Sequence, residues 1–435
     1  MGLSLPLEWS SQSVEAQWCT QTEAGRILQR AERRPYLPSS ASRGVSKRHL
    51  QQFFESEGSI TLSRAGTQAD LETFIGAYSL VSSRGFVCDL FHGLVLAPLA
   101  DLFNHSDYNQ VQFEVDDIVC DECGALGACE HYNEPEERAM PQAMEDPIEM
   151  TLRAPVYAGL ERTEVFNSYG SLSNARLLTC YGFAMEENEC DRYCWDWHEA
   201  TERHEIWSAF GISDDAVLQA QWAEMYAGRS DDLAGQFLEL DDASGPTPLS
   251  IPSLSPFGVV LRDQVPPSGL QSILAWPTDD SDLERDSEWP LFVDGDGRIS
   301  YSLWRAAVVA AVVRQKWASG SVIEALPNTD QALLGFSRCM EDTVKSDDKQ
   351  CEPNATVALA LGYLSQLIKE RQWSERRNEE ALLLLQEEGQ RSGRRKSSLY
   401  HTLLAGVGEQ CALRVARDNV DAMRYLASAG SNLSE

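Results

Sequence analysis

The spacing of apolar residues changes along this chain, and this change limits the folds that it can adopt. Apolar and polar residues alternate over 111–115 and again over 148–152, which predicts short, half-buried strands. Beyond about residue 195 the apolar residues follow mostly helical spacing. The clearest helices are predicted at 300–318, 355–372, 374–390 and 398–427. The pattern therefore predicts an α+β fold in which short strands precede a helical C-terminal part.

The composition of the chain limits the kinds of molecule that it can bind and the compartments in which it can work. The formal net charge of −31 repels phosphate backbones, so we expect no direct contact with nucleic acid, whereas a basic protein partner fits this charge. The longest strongly apolar stretch, 306–313, is too short to span a bilayer, so we expect no membrane insertion. Residues 1–30 do not have the pattern of a signal peptide, and the 11 cysteines are an odd number. Both features favour a reducing compartment, either the cytoplasm or the nucleus.

Changes of composition predict three segments. Residues 1–195 hold the predicted strands and a Cys-rich insert at 117–147. Residues 196–299 combine a helical region with an acidic link rich in Pro and Ser, which is typical of a loop. Residues 300–435 form the predicted helical domain.

Four short motifs follow one another in the first segment. In chain order they are Ser82-Ser83-Arg84-Gly85-Phe86, Asp101-Leu102-Phe103-Asn104-His105-Ser106, Glu164-Val165-Phe166-Asn167-Ser168-Tyr169-Gly170, and Ser173-Asn174-Ala175-Arg176-Leu177-Leu178 with Tyr181-Gly182-Phe183 after it. Each motif alone is a weak signal, because an Asn-His pair is usually a turn or a satisfied core pair. Four of them in one order, with strand, turn and helix patterns around them, are much more specific.

This order of motifs resembles the SET-domain lysine methyltransferases, in the class typified by the plant Rubisco large-subunit methyltransferase. The resemblance covers about residues 70–185. It implies a SET-type core of short twisted strands with a helical insert, followed by an all-helical domain similar to that class's substrate-binding domain. It also implies S-adenosylmethionine as cofactor and methyl transfer to lysine of a protein substrate. Related members methylate histidine, so the acceptor stays open at this point.

The resemblance assigns roles to residues that match the motifs. Tyr169 matches the catalytic tyrosine, whose hydroxyl can hold the attacking amine in line. The implied cofactor-binding residues are Ser83, Arg84, Asp101, Asn104, His105 and Tyr181.

One departure from the family pattern leaves an alternative open. The family has a Gly-x-Gly strand near the start of the SET fold, and this chain has no Gly-x-Gly ahead of residue 101. We therefore expect the SET core to be incomplete at its N-terminus. A non-catalytic, SET-derived protein-binding module is the alternative to an enzyme, and a helical scaffold protein is a third hypothesis. Affinity for S-adenosylmethionine separates the enzyme from the other two.

The Cys-rich insert contains a second group of candidate ligands. Cys120, Cys123, Cys129 and His131 lie close together in the sequence. Three thiolates and one imidazole can form a tetrahedral structural zinc site. The alternative is a variable surface insert in which the cysteines are incidental.

Overall fold

The structure is a computed structural model of the chain. It describes residues 4–33, 46–87, 94–115, 148–152, 164–170, 172–197, 199–227, 274–275, 291–319, 355–391 and 396–429. The helices in these ranges are α1 (Val14–Cys19), α2 (Glu23–Arg33), α3 (Lys47–Phe53), α4 (Ser59–Arg64), α5 (Leu71–Ser82), α6 (Asn174–Tyr181), α7 (Ala200–Ala209), α8 (Ala216–Ala227), α9 (Tyr301–Ala318), α10 (Ala355–Arg371), α11 (Glu375–Arg391) and α12 (Ser398–Ala429). The strands are β1 (Phe86–Val87), β2 (Leu94–Val95), β3 (Asn104–His105), β4 (Val111–Val115), β5 (Ile148–Leu152), β6 (Phe166–Asn167), β7 (Arg192–Trp195), β8 (Leu274–Ala275), β9 (Leu291–Asp294) and β10 (Ile299–Ser300).

The contacts within the chain define two compact units. The first, called here the motif unit, comprises Met1–Ser13, Ala31–Leu172 and Arg176–Gly182. The second, the helical unit, comprises Val14–Arg30, Ser173–Ala175 and Phe183–Glu435. The predicted segment boundaries after residues 195 and 299 stay a prediction.

The motif unit has a small apolar core beneath α5. Leu5, Leu7, Leu50 and Ile75 are buried together, and other apolar residues of α5 pack against them. Burial of each such side chain contributes about 1.5–3 kcal/mol. The side chain of Asp70 accepts a hydrogen bond from the Thr73 N–H at 2.8 Å and so caps the start of α5. Leu71, Phe74, Ile75 and Tyr78 recur at helical spacing and thus lie together on the side of α5 that faces this core.

In the described residues of the motif unit, the strands form three two-stranded pairs. Strands β1 and β2 pair antiparallel, as do β4 and β5, in which Val111 lies opposite Leu152. Strands β3 and β6 pair parallel. The alternating patterns at 111–115 and 148–152 thus predicted two real strands that pair with each other.

The core of the helical unit is formed largely by α9, α10 and α12. Residues 306–313 of α9 are all buried, which explains why this stretch is apolar on every face. The side chain of Ser300 accepts a hydrogen bond from the Leu303 N–H and caps α9. All four C-terminal helices that the apolar spacing predicted are present, within a few residues of the predicted bounds.

The middle of the chain contains strands that the apolar spacing did not predict, in addition to helices α7 and α8. Strands β7, β9, β10 and β8 form a four-stranded sheet, in that order, and β8, β9 and the first residue of β10 lie within residues 196–299. All four residues of β9 are buried. A strand that is buried on both faces does not alternate between apolar and polar residues, so its sequence does not show a period of two.

A tight turn joins β9 and β10. The side chain of Asp294 accepts hydrogen bonds from the backbone N–H groups of Asp296 and Arg298, at 3.1 and 2.8 Å. Gly297 has a φ of +79°, and a Cβ at this position would lie 2.8 Å from the backbone nitrogen of Ala416. Both the left-handed conformation and the close approach require glycine here.

A buried ion cluster joins distant parts of the helical unit. Arg371 lies between Glu23 and Glu409, and it donates from Nη2 to Glu23 and from Nε to Glu409, the latter at 2.7 Å. Its Nη1 donates to the backbone carbonyl of Cys194 at 2.8 Å, and the guanidinium lies 4.8 Å from the centroid of the Trp195 ring. Each of the three guanidinium nitrogens therefore donates to an acceptor, and the group also lies close to an aromatic ring.

A second arginine extends the buried ion cluster. Arg30 pairs with Glu23 at 2.9 Å and with Glu202 at 2.7 Å. Burial alone would raise the pKa of Glu23, but Arg30 and Arg371 outweigh this effect and hold that pKa below its usual value. The buried ion cluster thus keeps a carboxylate ionised inside the unit.

No helix in the described ranges combines the length and the apolarity needed to cross a membrane.

Candidate active site

The parallel pairing of β3 with β6 brings two of the motifs together. Asn104 lies opposite Phe166 and His105 lies opposite Asn167. The Ser106 N–H donates to the Asn167 carbonyl at 3.0 Å, which continues the pairing. Tyr169 lies two residues after the end of β6, so this register places it beside the Asn-His motif of β3.

Tyr169 is held at both its backbone and its hydroxyl. Its backbone N–H donates to Nδ1 of His105 at 3.0 Å, and its hydroxyl donates to the Phe103 carbonyl at 2.8 Å. The rings of Tyr169 and His105 lie 5.3 Å apart. Because both anchors belong to residues 103–105, the orientation of the phenol is fixed relative to this one segment.

Tyr181, at the end of α6, contributes a second phenol to the site. Its ring centroid lies 4.6 Å from that of Tyr169, with 37° between the ring planes. Burial raises the pKa of Tyr181 to about 12, and the neighbouring Cys180 and Tyr169 add to this effect. Burial also raises the pKa of Tyr169, which Arg84 opposes and Asp101 reinforces. Both tyrosines are therefore neutral phenols at neutral pH.

The contacts of His105 define its tautomer. Since Nδ1 accepts the Tyr169 N–H, the ring proton lies on Nε2, which is 3.5 Å from Oδ1 of Asp107. Burial lowers the pKa of His105, although Asp107 acts in the opposite direction. The imidazole is therefore neutral at neutral pH and can keep its bond to Tyr169.

Arg84 and Asp101 form an ion pair at the edge of the site. Nη1 of Arg84 donates to Oδ2 of Asp101 at 2.8 Å and to its backbone carbonyl at 3.1 Å. The hydroxyl of Ser83 donates to the Ser79 carbonyl at 2.7 Å and closes the end of α5. Ser83 thus has a structural contact in addition to the cofactor contact predicted for it.

Asn104 lies on the exposed side of β3. Its Nδ2 donates to Oε1 of Glu164 at 2.5 Å. The residues present fit S-adenosylmethionine, because two neutral aromatic rings can face a sulfonium, and polar side chains of Asn104 and Arg84 lie nearby for its polar groups.

The structure brings together the predicted catalytic tyrosine and most of the predicted cofactor-binding residues, namely Arg84, Asp101, Asn104, His105, Tyr169 and Tyr181. Sequence reasoning missed the roles of two residues. Phe103 contributes through its carbonyl, which no side-chain pattern can indicate, and Glu164 contributes through its bond to Asn104.

The predicted zinc ligands, Cys120, Cys123, Cys129 and His131, lie outside the described residues. Within the described ranges, no three His, Cys, Asp or Glu side chains gather as a metal site. The zinc site therefore stays a prediction from the sequence.

Metal analysis of the purified chain tests this zinc site. We expect about one zinc per chain, and we expect its loss in a Cys120→Ser/Cys123→Ser variant, because a tetrahedral site cannot close with two ligands. Cys411→Ser is the matched control, since Cys411 is an exposed free thiol on α12. Less than about half an equivalent of zinc in the unaltered protein would contradict the site.

Comparisons with known proteins agree with the motifs. No family model matches the sequence. The chain is 25% identical over 360 residues to ribosomal lysine N-methyltransferase 3 of Saccharomyces cerevisiae, and this alignment covers 69% of the chain and 58% of the yeast protein. The chain thus spans less than two thirds of the length of this curated relative.

Two solved structures of the SET domain of LSMT also match. One contains lysine and AdoHcy, with a TM-score of 0.43 and 13% identity over 99% of this chain and 72% of that one. The other contains methyl-lysine and AdoHcy, with a TM-score of 0.44 and 13% identity over 100% of this chain and 72% of that one. The sequence match to the yeast protein confirms the resemblance that the motifs predicted: this chain is a relative of a curated lysine methyltransferase.

Proposed function

We propose that this chain is an S-adenosylmethionine-dependent methyltransferase that acts on a lysine of a protein substrate. The observation that carries the proposal is the attachment of Tyr169 to residues 103–105 by both its backbone and its hydroxyl, with Tyr181 against its ring. The similarity to a lysine methyltransferase supports lysine rather than histidine as the acceptor.

The cofactor supplies an electrophilic methyl group carried on a cationic sulfur. Asn104 and Arg84 are the residues that we propose to hold its polar groups, and the aromatic faces of Tyr169 and Tyr181 are suited to the neighbourhood of its positive charge. Positioning then accounts for most of the rate enhancement, because an in-line displacement needs an aligned nucleophile rather than a strong acid or base.

Tyr169 orients the attacking amine. Its hydroxyl proton is directed at the Phe103 carbonyl, so the hydroxyl oxygen can accept a hydrogen bond from an amine N–H. An amine that donates to this oxygen has its lone pair directed elsewhere, where it can attack. His105 supports this geometry from behind, because its bond to the Tyr169 N–H fixes the tyrosine backbone.

The neutral phenols also favour the reactive form of lysine. A lysine side chain placed beside Tyr169 and Tyr181 loses much of its water, and desolvation lowers the pKa of an amine. The raised pKa values of both tyrosines keep them from becoming anions that would stabilise the ammonium form.

We further propose a ribosomal protein as substrate. The support is the printed name of the yeast relative together with the net charge of −31, which attracts a basic protein. Cytoplasm or nucleus is the corresponding location.

Two measurements on the purified chain test the proposed function. Calorimetric titration with S-adenosylmethionine should give micromolar binding, and incubation with isotopically labelled cofactor and ribosomal proteins should place label on lysine, as read by mass spectrometry. Binding without label on any basic protein would overturn the substrate class. No detectable binding would overturn the enzyme and favour a non-catalytic protein-binding module.

A further inference from the structure

The side chain of Asn174, the first residue of α6, has its hydrogen-bonding capacity fully used. Its Oδ1 accepts from the Met185 N–H at 2.7 Å and from Asn188 Nδ2 at 3.3 Å. Its Nδ2 donates to the Met185 carbonyl at 3.0 Å and to Oδ2 of Asp191 at 2.9 Å. A carboxamide has two donor hydrogens and two acceptor sites on its oxygen, so no capacity is left. The start of α6 is thus fastened to the chain that follows the helix.

Asp191 provides the strongest of these attachments. Its Oδ1 accepts the backbone N–H of Asn174 at 2.5 Å, and its Oδ2 accepts both Asn174 Nδ2 and, at 3.4 Å, the Tyr193 hydroxyl. The first N–H groups of a helix have no partner within the helix, and a negative charge at this end is favourable. Asp191 is itself fixed, because its carbonyl accepts the Gly295 N–H at 2.8 Å.

Helix α6 transmits this attachment to the candidate site. It runs for only two turns from Asn174 to Tyr181, and Leu177 and Leu178 between them are fully buried. A rotation or shift at the start of so short a helix moves its last residue as well. We propose that Asp191 is a positioning residue for the methyl transfer, which acts through Asn174 and α6 to hold Tyr181 against Tyr169. This inference rests on the proposed function, but the position of the two rings can be measured without any activity.

The charge of Asp191 gives this role a distinctive pH dependence. Burial raises its pKa to about 6, Glu409 adds to this effect, and the bonds from Asn174 and Tyr193 oppose it. A carboxyl whose pKa is higher in the folded than in the unfolded chain stabilises the fold at low pH, and this contribution is lost as the pH rises from 3.8 to about 6. The ionised carboxylate, however, accepts hydrogen bonds more strongly than the neutral carboxyl, whose own proton also competes for space with the three donors. As the pH rises through the pKa of Asp191, the hydrogen bonds that anchor α6 therefore become stronger, while the contribution of this carboxyl to the free energy of unfolding becomes smaller.

Nuclear magnetic resonance of the full chain with isotopically labelled tyrosine rings tests the inference. The probe is the cross-peak between the rings of Tyr169 and Tyr181, assigned with single Tyr→Phe variants. In the unaltered protein we expect the cross-peak to weaken as the pH falls below the pKa of Asp191, at conditions where the fold itself is not lost. In Asp191→Asn we expect a weak cross-peak at every pH, because an amide nitrogen replaces one of the two accepting oxygens.

Activity provides the second readout. At mildly alkaline pH, Asp191→Asn should lower kcat about tenfold, since misplacement of a site residue acts on the aligned complex. The acid limb of the native pH profile that follows Asp191 should be absent in this variant.

Two control variants separate positioning from loss of charge or packing. Asp296→Asn removes the same charge from a side chain that is 78% exposed and pairs with Arg298. Tyr193→Phe removes one donor to Asp191 and keeps both bonds to Asn174. In both variants, the cross-peak between the rings of Tyr169 and Tyr181 and the rate of methyl transfer should be those of the unaltered protein.

The possible failures are distinguishable. A cross-peak that is constant with pH in the native protein and unchanged in Asp191→Asn would overturn the positioning role, whether or not methyl transfer occurs. If Asp191→Asn does not fold, the pH series on the native protein still decides between the outcomes. Loss of the cross-peak in a chain that transfers no methyl group would support the attachment and overturn the proposed function alone.

Discussion

Replacement of Tyr169 by Phe is expected to slow methyl transfer about 100-fold or more, while the affinity for S-adenosylmethionine changes by less than about twofold. The substitution removes the hydroxyl that donates to the Phe103 carbonyl and orients the amine, but it keeps the ring that packs on His105 and Tyr181. The backbone bond from residue 169 to His105 is also kept. Single-turnover rates with labelled cofactor measure the first effect, and calorimetric titration measures the second.

Tyr108→Phe is the matched control for this prediction. The same hydroxyl is removed from a ring that is 80% exposed, so the rate should stay native. A Tyr169→Phe protein that transfers methyl groups at the native rate would show that another group orients the amine. A protein that has lost cofactor binding as well would show that the hydroxyl shapes the binding site rather than the reaction.

Replacement of Arg371 by Met should destabilise the helical unit by about 3–5 kcal/mol, because Glu409 loses the buried cation with which it pairs and Glu23 loses one of its cations. The side chain of Arg371 is 3% exposed, and those of its partners Glu23 and Glu409 are 4% and 1% exposed. Their two carboxylates would share a buried site without the cation between them. Urea unfolding measures the effect as a lower midpoint with an unchanged slope.

Arg391→Met is the control for this prediction, since it removes the same charge from a side chain that is 70% exposed. Its effect should be below about 0.5 kcal/mol. The loss of unfolding free energy in Arg371→Lys should lie between the losses in these two variants. An ammonium keeps the charge, but it cannot reproduce the planar guanidinium that reaches both carboxylates. A loss below about 1 kcal/mol in Arg371→Met would mean that water or another cation compensates Glu23 and Glu409.

The fold could be predicted from the sequence where one local pattern decides the structure. The strands β4 and β5 and the helix α5 each have a clear period, and the structure contains all three. The sheet of β7, β8, β9 and β10 could not be predicted in this way. Its central strand β9 is buried throughout, and its neighbour β7 comes from about a hundred residues earlier in the chain. Such pairing depends on the packing of the whole unit and leaves no local signal.

The same distinction applies to the candidate site. The family resemblance implied that His105 and Tyr169 belong to one site, and a hydrogen bond joins them in the structure. The sequence could not indicate that the Tyr169 hydroxyl donates to the Phe103 carbonyl. Every residue has a carbonyl, and only the register of the two strands determines which one lies within reach. Asp191 likewise has no motif of its own, and its importance depends on the path that the chain takes after α6.

The buried ion cluster also limits how this protein can be made. Glu23 is synthesised before Arg371 and Glu409, which follow 348 and 386 positions later. At a synthesis rate of roughly 5–20 residues per second, Glu409 leaves the ribosome about 20–80 s after Glu23. During that interval the carboxylate of Glu23 has Arg30 nearby in the chain but lacks Arg371. We therefore expect the buried ion cluster to be completed only after residue 409 has been made, so this part of the helical unit forms after most of the intervening chain has been synthesised.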